Sequence, residues 1–163
     1  ADLTEVEAHG AAKERLYREL MHEVLTDQLV PGVVSFLESA SGVPTAVASN
    51  AERANIDFVL DGARLRRFFQ VIVDGSEVTY AKPAPDIYLR AASDLGVAPE
   101  NCIVFEDSPV GITAARDAGA RVVGIQTHSE SLSGVELQVR DFNDARLMEW
   151  LAAQKVRGGG ART

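Results

Sequence analysis

The feature that most constrains this chain is an alternation of short apolar runs with stretches of helical periodicity. The runs at 43–48, 68–73, 101–105 and 121–125 are apolar at successive positions, and 135–139 is a fifth candidate. Each is too short for a buried helix and reads as a strand covered on both faces. Between them, 51–60, 86–95, 110–118 and 145–153 carry the three-to-four spacing of helices, the first three closed by Gly62, Gly96 and Gly119. Strand and helix in strict alternation predict an α/β fold, a doubly wound parallel sheet with helices on both sides. Ahead of it, residues 33–40 read as a short helix. Leu3, Val6, Ala12, Leu16, Leu20, Met21, Val24 and Leu25 mark another that ends near Asp27. The tail from Val156, with glycines at 158–160, reads as disordered.

Composition narrows the function. The net charge of −8 argues against a sequence-independent grip on nucleic acid. An anionic substrate therefore requires a local cationic side chain or a metal ion. No apolar run approaches the roughly 20 residues of a membrane helix. The start Ala1-Asp2-Leu3-Thr4 lacks the basic and apolar regions of a signal peptide. Cys102 is the single cysteine, so an internal disulfide is excluded and a reducing cytoplasm is the expected location.

In doubly wound sheets ligands bind beyond the carboxyl ends of the strands. The residues there are Ser49-Asn50, Lys82 in a loop with two prolines, Glu106-Asp107 and Gln126-Thr127. Each has two readings. Glu106-Asp107 at a low-dielectric sheet end suits a Mg²⁺ ion. The same segment also suits the start of a helix, with Ser108 as N-cap and Pro109 at the first turn. Ser49-Asn50 suits an oxyanion, or the cap of a helix from Ala51. Lys82 is one of three lysines, either a fixed ammonium for a phosphate or a solvated surface group. His9, His22 and His128 show no metal-type spacing and read as surface residues. Cys102 reads as a small hydrophobe in a buried strand. Arg64, Arg66 and Arg67 read as a solvated helix end.

Three segments occur in order: Val47-Ala48-Ser49-Asn50, Ala81-Lys82-Pro83-Ala84-Pro85-Asp86-Ile87-Tyr88, and Val104-Phe105-Glu106-Asp107-Ser108-Pro109 running on to Ala115. Together they resemble the haloacid dehalogenase superfamily, nearest its β-phosphoglucomutase-like and phosphoglycolate phosphatase-like branch. The likeness covers about Leu29 to Ala153. It implies a Rossmann-like core and phosphoryl transfer on a small phosphorylated metabolite through an aspartyl-phosphate. It also implies roles. Ser49 and Asn50 would bind the phosphoryl group, Lys82 would bridge it to the nucleophile, and Glu106 and Asp107 would hold Mg²⁺, one or both directly. The implied division is a remnant of a helical cap over 1–28, a core over 29–155 and a tail over 156–163. Dehalogenation, a third chemistry on this fold, has no need of Mg²⁺, so the acidic pair favours phosphate.

The resemblance also implies an Asp-x-Asp motif on a central first strand, lying between the Ser49 strand and the Glu106 strand. None of the eleven aspartates stands two residues from another. Loss of that strand would leave a gap of about 9–10 Å, two strand spacings, lined by unpaired backbone groups. Ala1 is not an initiator methionine. The expectation is therefore a fragment, a mis-set gene start, or a sheet completed by another segment, a partner chain or a swapped strand. Two functions stay open: a Mg²⁺-dependent phosphatase or phosphomutase whose nucleophile lies elsewhere, and a non-catalytic module that binds phosphate, Mg²⁺ or a protein.

Overall fold

The computed structural model describes residue 16, residues 25–127 and residues 131–158. Five strands and five α-helices follow in the order α1 (Val33–Ser39), β1 (Ala46–Ala48), α2 (Arg53–Gly62), β2 (Val71–Val73), α3 (Asp86–Leu95), β3 (Ile103–Glu106), α4 (Pro109–Asp117), β4 (Arg121–Ile125), β5 (Leu137–Val139) and α5 (Ala145–Gly158) among the described residues. Every strand pair is parallel. The strands form two sheets, β1-β2 and β3-β4-β5. The anticipated gap between the Ser49 strand and the Glu106 strand is thus present as a break in the ladder.

Successive side chains point to opposite faces, so the continuous apolar runs make both faces of each sheet apolar. On one face Ala46, Ala48, Val71, Val73, Val104 and Val122 pack with Ile87, Tyr88 and Ala91 of α3 and Ile112, Ala114 and Ala115 of α4. On the other, Val47 and Ile72 pack with Leu37 of α1 and Ile56 and Leu60 of α2. The second face of the larger sheet carries Ile103, Phe105, Val123, Ile125, Leu137 and Val139 against Leu147 and Trp150 of α5. Two helices straddle the break. α3 packs on β1 and β2 and touches α4, which lies on β3 and β4. α1 puts Leu37 into the small-sheet core and Phe36 into the large-sheet core. Phe36 stands edge-on to Phe105 at 5.2 Å, and both lie within 5.4 Å of Phe142. Side-chain contacts, not strand hydrogen bonds, join the two halves.

The sequence expectations hold for element type and order and shift at boundaries. β1 starts at Ala46, not Val43, because Val43 is exposed and the Thr45 N–H donates to the Gln70 side chain at 2.6 Å. β2 starts at Val71, since Arg66–Phe68 folds as a 3₁₀ turn. The second helix starts at Arg53 with Glu52 before it, so neither Ser49 nor Asn50 caps it. Cys102 precedes β3 and is half-buried, donating weakly to the Ala98 carbonyl at 3.6 Å. The last helix runs to Gly158, past the expected end at Ala153 and into the segment read as tail. The expected helix over 3–27 lies outside the described residues except for Leu16, which is helical and exposed, and Leu25–Gln28, which begins as a 3₁₀ turn. His9, His22 and His128 also lie outside them. In the basic cluster, Arg66 pairs with Asp57 and Asp61, and Arg67 reaches Glu38 and lies over the Phe68 ring.

Candidate phosphate and metal site

The residues singled out at the strand ends come from four loops at one edge of the sheets. Ser49 follows β1, where its N–H extends the ladder to Val73 O at 3.1 Å. Its Oγ accepts from the Ala51 N–H at 3.1 Å, which leaves the hydroxyl proton to be donated. Asn50 presents Oδ1 to the Lys82 N–H at 3.3 Å, tying the end of β1 to the proline loop. The turn after β2 lies against Asn50, and a Cβ on Gly75 would stand 2.9 Å from the Asn50 carbonyl oxygen. Glycine permits that close approach.

Lys82 is the centre of the arrangement. Its Nζ forms an ion pair with Glu106 Oε1, and both side chains are 9% exposed. It also donates to Tyr88 OH at 2.7 Å and to Ala48 O at 3.2 Å. An ammonium has three N–H donors, and all three are engaged. The Tyr88 hydroxyl in turn donates to Glu106 Oε1 at 2.6 Å, and its ring centroid lies 4.6 Å from Nζ. The solvated-surface reading of Lys82 is therefore wrong: the ammonium is buried between β1 and β3 and joins the two sheets.

Glu106 is equally saturated. Oε2 accepts from the N–H groups of Asp107 and Ser108 at 3.1 and 3.2 Å and from Ser108 Oγ at 3.0 Å. Ser108 also caps α4, its Oγ accepting from Gly111 N at 3.1 Å, with Pro109 in the first turn. The capping reading therefore holds for Ser108 and Pro109. Burial pushes the Glu106 carboxyl up, but the hydrogen bonds from Lys82 and Tyr88 and the Lys82 charge outweigh it, and it titrates below the ordinary glutamate range. Burial and then the Glu106 charge hold the Tyr88 phenol far above its usual range, so it stays protonated and donating.

Asp107 is exposed, and Oδ2 accepts from Thr127 Oγ1 at 3.0 Å. Among the described residues no three acidic, histidine or cysteine side chains gather at one point. Mg²⁺ uses one or two carboxylates and keeps waters for a phosphate to displace, so the open edge of Asp107 fits one ligand position. Glu106, with both oxygens engaged, holds Lys82 and the turn into α4.

Sequence reasoning gave no role to Tyr88 or Thr127. Tyr88 lies six residues after Lys82, on the first turn of the helix the proline loop opens. That spacing was the available signal. Thr127 was noted only as a strand-end residue.

Comparison with known proteins shows the family. Residues 2–119 match the family model for haloacid dehalogenase-like hydrolases. The chain is 41% identical over 119 residues to protein CbbY of Rhodobacter capsulatus, covering 70% of this chain and 52% of that protein. It is 36% identical over 124 residues to the fructose-1-phosphate phosphatase YqaB of Escherichia coli, covering 75% of this chain and 65% of YqaB. Among solved structures, a family IA hydrolase from Entamoeba histolytica superposes with a TM-score of 0.79 at 28% identity, over 95% of this chain and 73% of that one. The chain spans about half the length of the CbbY protein it matches.

Proposed function

Because the chain belongs to the haloacid dehalogenase-like hydrolases, we propose that it serves Mg²⁺-dependent phosphoryl transfer, as phosphatase or phosphomutase, on a small phosphorylated metabolite. The nucleophilic aspartate is contributed from outside these 163 residues. One observation carries the reading. A buried ammonium, Lys82, stands between the ends of β1 and β3, bonded to Glu106 and through its own N–H to Asn50.

The chemistry asked of these residues is electrostatic, since phosphoryl transfer depends on positioning and on charge neutralisation. Ser49 donates its hydroxyl proton to a phosphoryl oxygen, with the Asn50 amide beside it. Lys82 supplies a fixed positive charge; a direct hydrogen bond from it to phosphate requires release of one partner, and Ala48 O, at 3.2 Å, is the longest of the three. Asp107 would hold Mg²⁺, which neutralises charge on the transferring group. The relatives include a protein named as a phosphatase and others named as mutases, which supports the class of chemistry. The single cysteine supports a cytoplasmic setting.

The test is release of inorganic phosphate from sugar phosphates by the complete gene product, with Mg²⁺ and with a chelator. Metal-dependent release that falls at least about 100-fold in Asp107→Asn supports the reading. Binding of orthophosphate without turnover would favour the second reading, a non-catalytic binding module. That alternative draws on one observation, the lack of an Asp-x-Asp motif in the sequence.

A further inference from the structure

We propose that Tyr88 is a positioning residue, its buried hydroxyl fixing the Lys82 ammonium at the junction of the two sheets and orienting Glu106 as the partner. The catalytic consequence rests on the phosphoryl-transfer reading above; the contact itself stands on geometry alone.

Tyr88 is 8% exposed and projects from α3, whose Ile87 and Ala91 are packed in the core. It takes its place from a well-anchored helix, not from a loop. Its oxygen accepts a hydrogen bond from Lys82 Nζ at 2.7 Å and donates one to Glu106 Oε1 at 2.6 Å. Lys82, Tyr88 and Glu106 thus close a three-membered ring of hydrogen bonds. In that ring each contact fixes the direction of the other two. Lysine has a flexible four-carbon stem, and Glu106 and Ala48 O alone would leave one N–H of the ammonium without an acceptor and its head with freedom to shift. The hydroxyl removes that freedom. The ring of Tyr88 adds a second constraint, lying 4.6 Å from Nζ.

Tyr88→Phe separates these two contributions, because it keeps the ring and removes only the oxygen. ¹⁵N labelling at Nζ reports lysine ammonium groups that are protected from exchange, and these 163 residues contain three lysines. Lys82→Gln identifies the one from Lys82. In the wild-type protein that signal is expected to persist at neutral pH, protected from exchange with water, and to show a nuclear Overhauser effect to the Tyr88 ring. In Tyr88→Phe the protection is lost, while the thermal midpoint and the circular dichroism spectrum stay close to wild type. In the complete gene product the same variant lowers kcat for phosphate release about tenfold with KM little changed. A wild-type Lys82 signal without protection overturns the proposal. So does equal protection in Tyr88→Phe, or unchanged kcat after protection is lost. If the wild-type protein releases no phosphate, the functional reading fails, and the Lys82 signal still decides the positioning.

Discussion

Lys82 and Glu106 form an ion pair whose members belong to different halves of the fold, one reaching back to β1 and the other ending β3. The pair is buried and each partner carries further hydrogen bonds, the condition under which burial of charge is tolerated. Removing one partner is then worse than removing both.

Lys82→Met is expected to cost about 3–5 kcal/mol, since it leaves the Glu106 carboxylate buried without its cation. The double variant Lys82→Met/Glu106→Leu recovers most of that loss. Urea denaturation of the three proteins side by side checks the ordering.

Acid sensitivity follows from the same carboxylate. Glu106 titrates below its ordinary value when folded, so its contribution is present above about pH 4.3 and is lost as pH falls through the folded value. Asp74, held down by hydrogen bonds from Ser76, acts in the same direction. Stability should fall on acidification below about pH 5, and less steeply in Glu106→Gln. Denaturation midpoints from pH 3 to 6 measure both slopes.

Gly111→Ala tests the fit between α4 and the site. Alanine is the better helix former by about 1 kcal/mol. Here a Cβ would overlap the Glu106 carboxylate. The expected net effect is destabilisation, overpacking costing typically 1–3 kcal/mol, with weaker orthophosphate binding. Calorimetry with phosphate and a thermal melt report the two effects separately.

Ser108→Ala removes the cap of α4 and a hydrogen bond to Glu106 Oε2 together. The loss of a cap is worth about 1 kcal/mol. Ser108→Asp keeps a capping acceptor but faces Glu106 with a second negative charge. It should restore helix stability less than Ser108→Asn does, and a thermal-melt comparison ranks the three.

The alternation of strands and helices was legible because both faces of every strand are apolar and the helices between them are spaced for one buried side. Ser49, Asn50, Lys82, Glu106 and Asp107 were legible as strand-end residues. Boundaries were not. The apolar stretch from Val43 becomes strand only at Ala46, because the Gln70 side chain, twenty-five residues on, takes the Thr45 N–H. Cys102 looked buried from its apolar neighbours, yet the strand begins one residue later. Tyr88 carried no sequence assignment; it lies in the core, and only the tertiary approach of Lys82 and Glu106 gives its hydroxyl partners. Local pattern reports periodicity and composition, whereas partners distant in sequence decide where a ladder stops and which polar atom a buried side chain meets.

The break between β1 and β3 makes the site a clamp whose jaws are hinged by side chains. A continuous sheet fixes neighbouring strands by backbone geometry, but here the gauge is set by α3 on one side and by the aromatic contact of Phe36 with Phe105 on the other. Phe36 is therefore a spacer. Trimming it is expected to alter the reach from Ala48 to Glu106, and with it the seat of the Lys82 charge, because Phe105, its ring partner, immediately precedes Glu106 on β3.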